Sequence, residues 1–150
     1  MLSDPEVMAD QGGPIDRASS ERKRARYTAA FVEQGFTRWA LEDRDQGFLG
    51  YTGVMPAFEG HPLGPHHEIG WRLVRAAWGH GYASEAALAA LADLFARAGV
   101  DEVLGYTAPD NLRSQAVMRR LALKRAPERD FVHHVAGRPW AGLVWTARRP

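Results

Sequence analysis

Two glycines, Gly79 and Gly81, lie between a β-prone apolar segment and a long helical pattern. Residues 68–74 predict a strand, and the alanine and leucine pattern of residues 83–97 predicts a helix. Glycine lets the backbone approach a ligand without a Cβ clash, and the free N–H groups at a helix N-terminus favour an anion. The turn therefore predicts a pyrophosphate site with Ser84 as a further donor, although two glycines also make an ordinary tight turn.

Two well-known nucleotide-binding motifs do not fit this turn. A Walker A loop requires a lysine directly after its second glycine, and no lysine follows either glycine here. A dinucleotide-binding fingerprint requires a third glycine where this chain has Ser84. Neither class of nucleotide-binding protein is indicated.

The composition excludes several other classes of protein. A chain of 150 residues suits one domain, so we expect a single domain over residues 1–150. The 19 basic and 18 acidic residues give a net charge of +1, so we expect neither nucleic acid nor a membrane surface as a partner. The chain has no cysteine, no apolar leader near Met1 and no apolar run that could span a bilayer. We therefore expect a cytoplasmic protein.

Alternating strand and helix patterns predict a mixed α/β fold. Asp16 is expected to cap a surface helix that Gly35 ends, and residues 36–41 and 48–55 are expected to form a hairpin around a turn at 42–47. The remaining predicted elements are a loop at 56–67, a strand at 101–107, a helix at 112–121 and final strands at 131–135 and 141–147. The order predicts a central sheet with helices on its faces.

Five separated parts of the chain form an ordered set. They are Leu2–Met8, Glu68–Leu73, Trp78–Ala86, Asn111–Ser114 and the pair Met118 and Leu121. Their order and spacing resemble the GNAT superfamily of acyl-CoA N-acyltransferases, especially the branch of ribosomal-protein alanine and serine N-acetyltransferases. The resemblance covers nearly all of the chain, and it implies a mixed, mostly antiparallel sheet flanked by helices.

The resemblance also implies a site for acetyl-CoA. The backbone of Leu73 and Val74 would pair with the pantetheine amides, because this strand splays away from its neighbour in the family. Asn111 and Ser114, one helical turn apart, would face the pantetheine arm. The groups that would hold the pyrophosphate belong to Gly79, His80, Gly81, Tyr82, Ala83 and Ser84.

The implied reaction is the direct transfer of an acetyl group to the primary amine of a small molecule or of a protein N-terminus. Glu68 is the candidate general base, although a carboxylate at a strand end also suits a structural salt bridge. Ser114 is the weaker candidate for the proton donor, because a hydroxyl also satisfies local backbone groups. Tyr82 and Tyr106 are alternatives that more often pack in a core.

Histidine pairs at 66–67 and 133–134 raise the question of a metal. Adjacent residues of a strand point to opposite faces, so neither pair chelates by itself, and we expect no metal. His67, beside Glu68, and His133 remain candidates for a base or for a contact with the acceptor. Residues 56–67 and 127–139 are expected to shape the acceptor pocket.

The chain departs from the family at three places. Ala76 stands where the family commonly has Gln or Arg, and Ala122 follows Leu121 where the family has glycine. The first strand and much of the first helix are expected to be missing before Met1, which leaves an uncovered sheet edge and predicts a homodimer. If so, coenzyme A binding should survive better than catalysis, so the alternatives are a non-catalytic acyl-CoA-binding module and an adaptor domain.

Overall fold

The computed structural model describes residues 1–135 and 137–150, which form three α-helices and seven strands. The helices are α1 Arg17–Gln34, α2 Tyr82–Arg97 and α3 Leu112–Arg120. The strands are β1 Arg38–Asp43, β2 Gly47–Pro56, β3 His67–Leu73, β4 Glu102–Thr107, β5 Lys124–Arg125, β6 Phe131–Val135 and β7 Arg138–Arg148. None of the described helices combines the length and the apolar character needed to cross a membrane.

The strands form one mixed sheet in the order β1-β2-β3-β4-β7-β5, and β6 pairs with β7. Every pairing is antiparallel except that of β3 with β4, which is parallel and consists of the single pair Glu68 and Leu104. This arrangement confirms the predicted mostly antiparallel sheet flanked by helices. It also confirms that β3 splays away from its neighbour.

The two faces of the sheet pack against different helices. On one face, Val54, Ile69 and Met118 are buried with residues of α2 and α3. On the other face, Tyr51 and Met55 pack against α1. Alternation along β3 therefore sends Ile69 into the main core, while Glu68, Gly70 and Arg72 face the side that carries α1.

Both predicted ends of α1 are confirmed. The Asp16 carboxylate accepts a hydrogen bond from the backbone N–H of Ser19 at 2.7 Å. Gly35 has a φ of 77°, and its N–H donates to the carbonyl of Phe31 at 2.8 Å. The left-handed conformation explains why glycine stands at this end.

The strands differ from the predictions mainly at β1, at β7 and in the presence of β5. β1 begins two residues late and continues to Asp43, because a bulge between Leu41 and Glu42 lets pairing resume beyond the expected turn. β7 begins at Arg138 rather than at 141, since its pairing with β6 continues to the tip of the hairpin. The short β5 was missed because two exposed basic residues carry no hydrophobic pattern.

Leu94 and Leu88 of α2 give a matched test of this core. Leu94 is 1% exposed and Leu88 is 58% exposed. We expect Leu94→Ala to lower the free energy of unfolding by about 2–5 kcal/mol, because it leaves a cavity in the core. Leu88→Ala should change it by less than about 0.5 kcal/mol. Urea unfolding followed by circular dichroism measures both, and equal losses would contradict the packing of α2 described here.

Candidate active site

A cavity of about 900 Å³ opens where β3 and β4 diverge. It extends from the turn before α2 to the N-terminal end of α3, and residues 71–73 of β3 form part of its wall. The strands leave this space because their pairing stops after Glu68 and Leu104. The opening is therefore a consequence of the sheet topology.

The two glycines of the turn adopt left-handed conformations. Gly79 has a φ of 81° and Gly81 a φ of 88°, and a Cβ atom at either position would meet nothing within 4 Å. Glycine is thus required here by backbone conformation rather than by crowding. The backbone N–H groups of Tyr82 and Ala83, in the first turn of α2, have no intrahelical acceptor. These donors border the cavity, so the turn presents positive dipole ends to open space.

Ser84 supplies a buried polar atom to the same wall. Its hydroxyl oxygen is buried and has no hydrogen-bond partner within the described residues. Burying a hydroxyl without a hydrogen-bond partner costs free energy unless a ligand or a water molecule supplies the partner. Since the oxygen has no accessible surface in the ligand-free chain, a rotation of the Ser84 side chain would bring it to an oxygen-rich anion held at the start of α2.

An arginine stacked on a tryptophan borders this end of the cavity. The Arg113 guanidinium lies 3.8 Å from the centre of the Trp78 ring. The Trp78 indole N–H donates to the carbonyl of Leu73 at 3.1 Å. Arg120 also lines the cavity, so two basic side chains of α3 border this space.

Asn111 and Asp10 connect α3 to the N-terminal segment. The Asn111 side chain accepts from the N–H of Ser114 at 3.1 Å and donates to Asp10 at 3.2 Å. Asp10 pairs with Arg72 at 2.9 Å, and its carbonyl accepts from the Trp140 indole at 3.0 Å. The segment around Asp10 therefore lies at the mouth of the opening between β3 and β4.

A second cavity, of about 70 Å³, adjoins the first. Both are lined by Asp10, Trp71, Arg72 and Ser114. Glu68 lines the smaller cavity, so a group bound there would lie next to the inner end of the larger one. Ser114 is at the junction between the two spaces.

Glu68 forms an ion pair with Arg38, which agrees with the salt bridge considered for it in the sequence. Its Oε1 lies 2.7 Å from Nη2 of Arg38, and the side chains are 21% and 10% exposed. Burial is the largest single effect and opposes the charge of Arg38, but the Glu68 carboxylate, together with Tyr27 and Tyr51, more than offsets it and raises the pKa of Arg38. Arg38 is therefore a permanent cation beside the candidate base.

Tyr106 and a group of histidines form the wall behind Glu68. Burial raises the pKa of Tyr106, and the charge of Glu68 raises it further, so the phenol stays protonated. The His61 and His66 rings lie 5.1 and 5.8 Å from the Tyr106 ring. Burial, aided by the neighbouring His66, lowers the pKa of His61 to about 4, which makes this ring neutral near pH 7.

The structure brings together most of the residues predicted from the sequence. The larger cavity is lined by Leu73, Gly79, His80, Gly81, Tyr82, Ala83, Ser84, Asn111 and Ser114. Val74 is not part of this lining, and its N–H donates to the carbonyl of Leu49 at 2.8 Å. Neither His67 nor His133 lines either cavity. The described residues contain no group of His, Asp or Glu side chains that could hold a metal ion.

Four charged residues of the smaller cavity were missed by sequence reasoning. They are Asp10, Lys23, Arg38 and Arg72. Arg72 stands inside the segment Glu68–Leu73 and alternates with Glu68 on one strand face, which is a signal that could have found it. The other three come from a loop, a charge-rich surface helix and an edge strand, where nothing local distinguishes them from solvated charges.

The chain matches the sequence model of a protein family described as "Acetyltransferase (GNAT) domain" over residues 1–124. It is also similar to the uncharacterized protein YkkB of Bacillus subtilis (strain 168), at 29% identity over 125 residues. That match covers 82% of this chain and 71% of YkkB.

Solved structures share the fold. An acetyltransferase from Agrobacterium tumefaciens superposes with a TM-score of 0.78 at 24% identity, over 98% of this chain and 80% of the other. Spermidine N-acetyltransferase from Vibrio cholerae, in complex with CoA and spermine, superposes with a TM-score of 0.74 at 13% identity, over 99% and 85% of the two chains. At these identities the likeness concerns the fold.

Proposed function

Because this chain belongs to the GNAT acetyltransferase family, we propose that it transfers an acetyl group from acetyl-CoA directly to the primary amine of a small molecule or of a protein N-terminus. The transfer forms the amide C–N bond and breaks the thioester C–S bond. One proton leaves the amine and the departing thiolate gains one. The observation that carries the proposal is the cavity between β3 and β4, whose anion cradle is connected past Ser114 to the smaller cavity that Glu68 lines.

The residues of the larger cavity fit coenzyme A. The pyrophosphate would accept from backbone N–H groups of residues 79–83 and from the hydroxyl of Ser84, which lacks a partner of its own. The pantetheine arm would run along Leu73 of β3 towards Asn111 and Ser114. The coenzyme supplies the thioester, and the solved structure of the spermidine N-acetyltransferase with CoA shows that a related fold accommodates it.

Glu68 and Ser114 are the proposed catalytic pair. Glu68 would take the proton from the attacking amine, either directly or through a water molecule. Ser114, at the junction of the cavities, would donate a proton to the leaving thiolate. Backbone N–H groups of β3 that have no partner on β4 would stabilise charge on the carbonyl oxygen, because the two strands pair only at Glu68 and Leu104.

We also propose that the protein is a homodimer formed through β1. This strand is at the edge of the sheet, where it pairs with β2 alone among the described strands. Trp39 of β1 is 45% exposed, and its ring lies 4.8 Å from that of Phe31, which is 44% exposed. Unpaired backbone groups beside exposed aromatic rings favour pairing with a second chain.

Replacing Ser84 by alanine separates coenzyme binding from stability. We expect Ser84→Ala to raise the Kd for coenzyme A about 10-fold, because a hydrogen bond to a charged oxygen is lost. The free energy of unfolding without ligand should not fall, since the removed hydroxyl has no partner in the folded chain. Calorimetry and urea unfolding measure the two quantities, with Ser20→Ala on α1 as the control. An unchanged Kd would contradict the role given to this hydroxyl.

Glu68→Gln tests the general base. We expect kcat to fall by about 10² to 10⁴, with an unchanged Kd for coenzyme A, because the amide keeps the shape and loses the basicity. A thiol-release assay over a panel of amines measures this effect. The control is Glu102→Gln, which alters another ion-paired carboxylate, 2.7 Å from Arg129, outside both cavities.

The same assay separates the enzyme from the alternatives. Activity of the Glu68 variant close to that of the wild type would remove Glu68 as the base. Coenzyme A binding without turnover of any amine by the wild type would instead favour a non-catalytic acyl-CoA-binding module.

Light scattering tests the dimer. We expect the mass of two chains for the wild type and of one chain for Trp39→Lys, because a charge on β1 opposes pairing of two edges. Phe58→Lys, a change at an aromatic residue of similar exposure in the loop before β3, should leave the dimer intact. A wild-type monomer would refute the proposal.

A further inference from the structure

The smaller cavity carries more positive than negative charge. Its lining contains the cations Lys23, Arg38 and Arg72 and the carboxylates Asp10 and Glu68. The ion pairs of Arg72 with Asp10 and of Arg38 with Glu68 leave Lys23 without a carboxylate partner among the described residues. Burial, together with Arg38 and Arg72, lowers the pKa of Lys23, so the site would gain from a further negative charge. The lining thus carries one positive charge that no carboxylate of the cavity balances.

The Arg38 guanidinium has unused hydrogen-bond donors. Its side chain is nine-tenths buried, and neither Nε nor Nη2 makes a hydrogen bond within the described residues. Nη2 approaches Glu68 closely, but at an angle that does not form one. Nε–H and one N–H of Nη2 point in parallel, and this edge of a guanidinium matches the two oxygens of a carboxylate.

Gly70 provides the space that holds the Arg38 side chain in place. Arg38, Gly53 and Gly70 lie opposite one another across β1, β2 and β3. A Cβ atom at residue 70 would lie 2.5 Å from Nη2 and 2.7 Å from Cζ of Arg38. On the far side, Nη1 lies 3.5 Å from the hydroxyl of Tyr27. The guanidinium therefore packs against a bare strand, and its Nε and Nη2 atoms become accessible to a ligand when a neighbouring side chain shifts.

The size of the cavity limits what this edge can bind. A volume of about 70 Å³ accommodates only a few non-hydrogen atoms, since one water molecule already needs roughly 10–15 Å³ on this scale. A continuing polypeptide chain does not fit in such a space. A carboxylate on a short carbon chain does.

We propose that the acceptor is a small amino acid, whose carboxylate binds between Arg38 and Lys23 while its amino group lies beside Glu68 and faces the larger cavity. The inference rests on the proposed function, because it assigns a substrate class to the same site. It selects the small-molecule acceptor over the protein N-terminus, whose α-carboxyl group is a peptide carbonyl followed by a continuing chain.

Matched acceptors test the carboxylate directly. Thiol release from acetyl-CoA is measured with glycine, β-alanine and γ-aminobutyrate, and with the carboxamide of each, which keeps the amine and removes the charge. We expect the best of the three acids to have a kcat/KM about 10- to 100-fold above that of its carboxamide, as a charge-assisted contact predicts. Equal values for every acid and its carboxamide would overturn the inference.

Three variants connect this preference to the cavity. Arg38→Lys keeps the charge beside Glu68 and removes the parallel donors, whereas Gly70→Ala keeps Arg38 and displaces its guanidinium. Lys23→Gln removes the surplus charge. In each variant, kcat/KM for the acid should exceed that for its carboxamide by less than about 3-fold, and the Kd for coenzyme A should stay unchanged. Lys124→Gln, at the other lysine of the chain, should leave the preference intact. A preference that survives all three changes would contradict the assignment.

A binding measurement separates this inference from the proposed function. Calorimetry compares the N-acetyl derivative of each of the three acids with that of its carboxamide on the protein saturated with coenzyme A, and it needs no turnover. Tighter binding of the acid that depends on Arg38 supports the carboxylate site, even if no amine is acetylated and the proposed function fails. Equal affinities would overturn the carboxylate site even if the protein proves to be an active enzyme.

Discussion

The single parallel pair between Glu68 and Leu104 determines where this fold can hold ligands. On both sides of it the sheet is antiparallel and continuous, so the two halves diverge only along this seam. β3 keeps full pairing with β2 while it leaves β4, and its remaining backbone groups face the space so created. The proposed coenzyme cradle and the small charged cavity are neighbours beyond this pair, and they share Asp10, Trp71, Arg72 and Ser114 in their linings. Both are therefore positioned by the same interruption in strand pairing.

The charged residues around this seam depend on one another. A buried carboxylate or guanidinium is unfavourable unless an opposite charge accompanies it, so Glu68 and Arg38 are each retained by the other. Arg72 similarly ties Asp10 to β3, and Asp10 in turn receives the Asn111 amide. The N-terminal segment, the edge strand and the start of α3 are thus connected through side chains that also line the cavities.

Glycine has different roles at different points of the site. At Gly79 and Gly81 the backbone needs a positive φ, and no neighbouring atom would obstruct a side chain. At Gly70 the backbone is ordinary for a strand, and the Arg38 guanidinium occupies the space of a side chain. The positive φ values of Gly79 and Gly81 allow the backbone loop of the proposed anion site. The missing side chain of Gly70 instead leaves room for the Arg38 guanidinium. The two ends of the proposed reaction path therefore use glycine for unrelated physical reasons.

The sequence by itself determined most of the elements and the proposed coenzyme side of the site. The cap at Asp16, the stop at Gly35 and the turn before α2 are local features, because each depends on residues within a few positions along the chain. Only the tertiary structure decided the proposed acceptor side. The charged residues of this side, Lys23, Arg38 and Asp10, are far apart in sequence and resemble solvated surface charges. They meet because α1, β1 and the N-terminal segment converge on one face of β3. Ion pairing and burial are non-local, so no pattern of neighbouring residues could have predicted this cluster, nor that Arg38 is the partner in the salt bridge considered for Glu68.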